Sequence, residues 1–178
     1  RQVVRRYPSP GTRDAEPSDL AHCELDQPDL PWLFTPTGPD AGGHLPPWLR
    51  LVVVPDDPGL VRPPDKPGLP AWADVALADL PPEADAWAWA HVQVLGSPRE
   101  PGASGQDPRL SPENPALNVA RLLCPRELEP NRSWTALLVP TFEVGRRAGL
   151  GITDPLDDLR WAWTLGGPES TVRLPVYD

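Results

Sequence analysis

The chain has 178 residues, of which 28 are proline and 14 are glycine, and its formal net charge at neutral pH is −9. The proline content excludes a long helical bundle, because each proline in a helix interior costs about 3 kcal/mol, and no apolar run approaches the roughly 20 residues of a membrane-spanning helix. The acidic balance argues against nucleic acid as a partner, since a protein that binds the phosphate backbone needs a basic stripe.

The N-terminal part is predicted to be an extended arm. Residues 1–44 are rich in proline, aspartate and glycine, with a short apolar island in which Trp32 and Phe34 would hold the arm against the rest of the molecule. Extended proline-rich segments lose little conformational entropy when they bind. Residues 45–178 are then predicted to form a β-rich core domain.

The first half of this core alternates between strands and breaks. Trp48–Val54 is a nearly continuous apolar run between two prolines, which predicts a buried strand. Trp72–Leu80 has apolar residues near helical spacing and predicts a helix. Ala86–Leu95 alternates regularly and predicts the clearest strand. Residues 96–109 read as a loop, and the region after them is either a short helix running to Ala120 or a strand over Val119–Leu123.

The second half contains three more predicted strands and one helix. Ser133–Pro140 is a strand, and Thr141 is the expected N-cap of a short helix over Phe142–Ala148 that the following glycines end. Leu159–Leu165 and, after a Gly-Gly turn, Thr171–Tyr177 are the last two strands. Strands separated by long prolyl loops, without regular alternation with helices, predict a mainly β, antiparallel, sandwich-like domain with one to three short helices.

The two Trp-Ala-Trp tripeptides are the most distinctive local motif. In a strand each would place two indoles on one face, and His91 would continue the face of the first. One interpretation is an aromatic platform for a sugar ring or a partner protein; the other is a tryptophan-rich core. The candidate binding residues are therefore Trp87, Trp89, His91, Trp161 and Trp163.

No catalytic residue, metal site or cofactor is predicted. The three histidines have no metal-ligand spacing, and the sequence has no G-x-S-x-G elbow for a nucleophilic serine. An enzyme would need a cleft that gathers His91 with an acidic partner such as Glu143 or Asp85. No spacing in the sequence favours that arrangement.

The two cysteines bear on disulfide formation, and the missing methionine bears on whether the chain was processed or is part of a longer protein. Cys23 and Cys124 are either two buried thiols or one disulfide, and the first is favoured because free cysteine behaves as a small hydrophobe. The sequence has no methionine, which indicates a processed product or a piece of a longer protein. The first residues lack the apolar stretch of a secretory signal.

Three segments carry a family resemblance: RLLCPRELEPNRSWTALLVPTFEVGRRAGLG at 121–151, PWLRLVVV at 47–54 and WAWAHV at 87–92. Together they resemble a group of large, mostly uncharacterised bacterial proteins, common in actinobacteria and associated with gene clusters for phage-tail-like contractile injection particles. The resemblance implies a place in an assembly, either in the cytoplasm or in a released particle, and no site residues.

Two functions follow from the sequence. The first is a non-enzymatic structural or protein-interaction domain of a larger bacterial assembly, whose partners are other protein subunits. The alternative is a carbohydrate- or cell-surface-binding module that uses the tryptophans of the two tripeptides.

Overall fold

The computed structural model describes residues 3–16, 18–95, 118–156 and 159–177. In these ranges the chain is mainly β and antiparallel, as predicted. The strands are β1 Val3–Tyr7, β2 His22–Leu25, β3 Leu49–Pro55, β4 Val61–Arg62, β5 Ala71–Ala76, β6 Ala90–Val94, β7 Asn118–Leu123, β8 Trp134–Pro140 and β9 Thr171–Val176. Two short 3₁₀ helices span Leu77–Asp79 and Glu83–Trp89, and the α-helix α1 spans Glu143–Gly149. The sheets have the orders β1-β2-β7-β6, β3-β8 and β4-β5-β9.

The two-stranded β3–β8 ribbon is the middle layer of a sandwich-like arrangement. Successive side chains of a strand point to opposite faces. Leu51 and Val53 of β3 pack with residues of β2, β6 and β7, whereas Val52 and Val54 pack with residues of β5 and β9. Both faces of the ribbon are therefore covered. This explains why the strand predicted over Trp48–Val54 reads as a continuous apolar run rather than an alternating one.

The N-terminal segment differs from the predicted arm. β1 pairs with β2, and β2 pairs with β7, so both strands belong to the four-stranded sheet. Leu25 and Leu30 are 3% and 1% exposed and lie in the core. The main-chain N–H of Trp48 donates to Pro31 O at 2.7 Å, and its indole N–H donates to Leu30 O. The segment is held by sheet pairing and burial, because its few apolar residues find partners far along the chain.

Two predicted elements in the middle of the chain are wrong. The helix expected over Trp72–Leu80 is strand β5 followed by a 3₁₀ turn, because pairing with β4 and β9 on either side overrides the local helical spacing. The strand expected over Ala86–Leu95 begins only at Ala90, since residues 83–89 form a 3₁₀ helix. The loop predicted over residues 96–109 lies outside the described ranges. Of the two alternatives for the region that follows, a helix running to Ala120 or a strand over Val119–Leu123, the structure has the strand, as β7.

The end of the chain mixes confirmed and wrong predictions. The strands predicted from Ser133 and from Thr171 are present as β8 and β9. The strand expected over Leu159–Leu165 is absent from the described part of that segment, where a single bridge joins Trp161 to Phe142. Thr141 is not the N-cap of α1: Phe142 occupies that position, and the cap has no side-chain hydrogen bond because phenylalanine has no side-chain acceptor.

The contact between α1 and β9 gives a first testable prediction. A Cβ added to Gly149 would lie 2.6 Å from both Cβ and Cγ of Pro175, a rigid ring that cannot rotate away. We expect Gly149→Ala to lower the free energy of unfolding by about 2 kcal/mol, although the same change usually favours a helix. Chemical denaturation measures this. Gly167→Ala is the control, because the nearest atom to its new Cβ is 3.6 Å away; equal stabilities for the two variants would contradict the prediction.

Candidate functional site

The predicted four-indole face does not form. Neither Trp-Ala-Trp tripeptide lies in a strand, because the first is in a 3₁₀ helix and the second is in a segment with one bridge. Trp163 is 4% exposed, its indole N–H donates to Pro81 O at 3.0 Å, and the guanidinium of Arg50 lies 5.1 Å from the centre of its ring. For Trp163 the core interpretation is therefore the correct one.

Several other tryptophans are also tied into the fold. Indole N–H groups donate to Leu45 O from Trp32, to Leu30 O from Trp48, to Asp65 Oδ1 from Trp72 and to Glu129 O from Trp134. Arginines cover two of these rings: Arg62 and Arg173 lie over Trp72, and Arg126 and Arg132 lie over Trp134. A covered ring with a bonded N–H has a structural role.

Two tryptophans from the predicted set line one cleft of about 380 Å³. Trp87 is 40% exposed and stacks on His44, with ring centres 3.7 Å apart and planes at 11°. Trp161 stacks on Phe142, with ring centres 5.2 Å apart and planes at 15°. Each indole is thus backed by a second ring, and Phe142 is itself buried. We call this site the indole cleft.

A tight turn positions His44 at the indole cleft. Asp40 Oδ1 accepts the main-chain N–H groups of Gly42 and His44 at 2.8 and 2.9 Å, and Asp40 Oδ2 lies 3.3 Å from His44 Nδ1. A Cβ at position 42 would lie 2.9 Å from the His44 ring, so a larger residue there would displace this ring. The hydrogen bond from the His44 N–H lowers the pKa of the Asp40 carboxyl, so that Asp40 stays an ionised acceptor to lower pH.

The remaining walls of the indole cleft are partly polar. They consist of Thr37, Gly38, Pro39, Pro46, Ala84, Leu159 and Arg160. The cleft therefore combines two indole rings with a carboxylate and a guanidinium. Such a mixture of apolar surface and a few polar groups is typical of small-molecule sites.

Trp89 and His91 do not line the indole cleft. Trp89 is half-buried, and His91 is exposed on β6 with Nε2 2.9 Å from Ala88 O. The sequence therefore identified two of the rings that line the cleft and missed His44 and Phe142. The Asp-Ala-Gly-Gly-His order at 40–44 signals a turn, but no local signal places that turn beside Trp87.

The contacts of the described residues do not bring His91 together with Glu143 or Asp85, the acidic partners that an enzyme would need. The Glu143 carboxylate is held by Arg146, with Oε1 2.7 Å from Nη2. Within residues 3–16, 18–95, 118–156 and 159–177, His91 makes no hydrogen bond with Glu143 or Asp85. In the same ranges no three His, Cys, Asp or Glu side chains are grouped to hold a metal ion.

Both cysteines are reduced thiols in the core. Cys23 and Cys124 are 4% and 1% exposed and belong to the cluster between the ribbon and the four-stranded sheet. Burial raises the pKa of the Cys124 thiol. Because the thiolate is the nucleophilic form, a buried thiol with a raised pKa has the character of a structural residue.

A second set of aromatic side chains lies outside the lining of the indole cleft. Phe34 is 64% exposed and meets Trp48 edge to face, with ring centres 5.1 Å apart; Trp48 in turn meets Tyr177 edge to face at 6.1 Å. Leu33, beside Phe34, is 50% exposed, and Tyr177 is 42% exposed. We call Leu33, Phe34, Trp48 and Tyr177 the aromatic patch.

Comparison with known proteins gives no family for the chain. No protein-family model matches the sequence, and no curated protein or solved structure is significantly similar to it. Among the described helices, none has both the length and the apolar character to cross a membrane.

Proposed function

We propose that the chain is a non-enzymatic interaction domain that binds another protein subunit of a larger assembly through the aromatic patch. The observation that carries the proposal is the exposure of Phe34 and Tyr177, each of which meets the Trp48 ring edge to face. Aromatic residues are enriched in the centres of protein interfaces, where a few of them supply most of the binding energy. A connected set of exposed aromatic rings on a monomer marks an interaction surface.

The aromatic patch is held in place before any partner arrives. The segment that carries Phe34 is fixed by the indole N–H of Trp32, which donates to Leu45 O at 2.9 Å, and by the Thr35 hydroxyl, which donates to Pro46 O at 2.9 Å. Trp48 is fixed by its own hydrogen bonds to the same segment. Binding therefore requires little additional ordering of these side chains, which favours affinity.

The charge of the chain limits the chemistry of the partner. With a net charge of −9, the domain attracts proteins that present basic groups around their contact surface and repels acidic ones. We propose a partner of this kind, in the bacterial assembly that the resemblance to contractile-particle proteins implies. Its association rate should fall as the ionic strength rises.

A photo-crosslinking experiment tests the proposal. A photo-reactive phenylalanine analogue replaces Phe34 in the protein as it is made in its own cells, and crosslinked partners are identified by mass spectrometry. The identified partner is then purified, and its affinity for the wild type and for Phe34→Ala is measured by calorimetry. We expect crosslinks at this position, and an affinity loss of about 2 kcal/mol for Phe34→Ala.

The control position is Val61, which is 42% exposed on β4 and does not belong to the aromatic patch. The analogue placed there should not crosslink the same protein, and Val61→Ala should leave the affinity unchanged. Equal crosslinking at both positions, or equal affinity of the Phe34→Ala variant and the wild type, would show that the aromatic patch is not the interface.

A further inference from the structure

We propose that the indole cleft binds a neutral carbohydrate, at a site distinct from the aromatic patch. The proposal rests on the geometry of two stacked ring pairs, Trp87 on His44 and Trp161 on Phe142, that line one concave site. It does not depend on the proposed protein interface, because no residue of the aromatic patch lines the cleft.

The ring pairs provide surfaces for a sugar ring. The faces of a pyranose carry C–H groups, which pack against the flat face of an indole. His44 stacks on Trp87, and Phe142 stacks on Trp161, so each indole is held in orientation where it lines the cleft. A rigid platform of this kind binds without the entropy cost of ordering a mobile side chain.

The indole N–H groups of Trp87 and Trp161 are available to a ligand. Five other tryptophans donate this group to the protein itself. Among the described residues, Trp87 and Trp161 make ring contacts and no hydrogen bond through the indole N–H. An indole N–H is a donor only, and a sugar hydroxyl oxygen can accept it.

The charged groups of the cleft decide the class of ligand. Asp40 remains an ionised acceptor, and Arg160 adds a guanidinium at the wall. Sugar hydroxyls can donate to the first and accept from the second. In the cleft the Asp40 carboxylate and the Arg160 guanidinium oppose each other, so an anionic polysaccharide is disfavoured by the net charge of −9. A polyproline segment offers carbonyl acceptors and no N–H donors, so it cannot add a hydrogen bond to the Asp40 carboxylate.

The size of the cleft fits this class of ligand. Its volume of about 380 Å³ lies at the lower end of the range of small-molecule sites, roughly 300–1,000 Å³. The cleft can therefore enclose the end of an oligosaccharide rather than a long stretch of it.

The experiment titrates the protein with neutral oligosaccharides of glucose, mannose and N-acetylglucosamine, and separately with oligogalacturonate and oligoproline. Indole N–H resonances are followed by NMR and assigned with single Trp→Phe variants. We expect a neutral oligosaccharide to shift the resonances of Trp87 and Trp161 in a saturable way. The resonances of Trp72 and Trp163, which lie in the core, should stay in place. The titration itself uses the wild-type protein, and the variants serve only to assign its resonances.

Affinities of variants provide the second readout. Trp87→Ala, at an exposed position, should weaken binding of the same oligosaccharide by about tenfold or more. Trp89→Ala, in the same tripeptide but outside the cleft, should change it less than about twofold. The proposal fails if no neutral oligosaccharide shifts the two resonances, if oligoproline or oligogalacturonate alone does so, or if Trp89→Ala weakens binding as much as Trp87→Ala.

Discussion

Replacing Arg50 by methionine should raise the free energy of unfolding by about 2 kcal/mol. Arg50 is 3% exposed on β3, on the ribbon face that meets β5 and β9. Its Nη2 donates to Pro82 O at 3.0 Å, but the buried Nη1 has no hydrogen-bond partner. Among the described residues no carboxylate forms an ion pair with it. The fold therefore bears the cost of burying a charge without a direct counter-charge.

Methionine keeps an unbranched apolar side chain beside Trp163 while it removes the charged guanidinium. Arg50→Ala removes the packing as well, and it should be less stable than Arg50→Met by about 3 kcal/mol. Urea denaturation at neutral pH measures all three proteins. If Arg50→Met were clearly less stable than the wild type, the hydrogen bond to Pro82 and the contact with Trp163 would outweigh the burial of the charge, contrary to this account.

The pH dependence of the free energy of unfolding is a second, independent test of the role of Arg50. Burial lowers the pKa of the Arg50 guanidinium to about 10, below its ordinary value in the unfolded chain. Between these two values the unfolded state binds more protons than the folded state, so the contribution of Arg50 to stability rises with pH. The deficit of the wild type relative to Arg50→Met should therefore shrink by about 1 kcal/mol between about pH 9 and about pH 11. A stability difference between the two proteins that stays constant over this pH range would contradict the prediction.

Deleting residues 1–44 should abolish cooperative folding of the remaining chain. The deletion removes β1 and β2, which leaves one edge of β7 unpaired over the four residues that now pair with β2. It also removes the buried Leu25 and Leu30 and both backbone acceptors of Trp48. These losses together are comparable to the 5–15 kcal/mol by which a domain is ordinarily stable. Thermal unfolding followed by circular dichroism measures the outcome.

Two point variants test whether buried side chains of residues 1–44 contribute to stability more than exposed ones do. Leu30→Ala, at a position that is 1% exposed, should lower the free energy of unfolding by about 3 kcal/mol. Phe34→Ala, at an exposed position, should lower it by less than about 0.5 kcal/mol. A deleted chain with a sharp unfolding transition would instead support an arm that the core can do without.

The sequence predicts strands well where burial is continuous and poorly where pairing is distant. β3 and β8 are largely apolar runs that end at prolines, and β9 follows the Gly-Gly turn, so these ends are visible in the sequence. β2 was missed because it has only four residues among prolines and aspartates, and its partner β7 lies about a hundred residues further on. Its stability comes from that pairing rather than from local preference.

The candidate site could be predicted only in part. The Trp-Ala-Trp motif drew attention to Trp87 and Trp161, yet its regular alternation was mistaken for a strand, since alanine fits strands and helices alike. The two prolines at 81–82 and the acidic residues that follow were the signals of a helical turn. The backing rings, His44 and Phe142, are contributed by distant segments, and no periodicity within the sequence links them to the indoles.

The β3–β8 ribbon makes the two halves of the core inseparable. Val52 and Val53 are neighbours in sequence but belong to different hydrophobic clusters, so neither outer sheet can detach without exposing one face of the ribbon to water. The ribbon amides should therefore exchange with deuterated solvent only when the whole molecule unfolds, and more slowly than those of the edge strands β1 and β4. The domain should melt as one cooperative unit despite its three separate sheets.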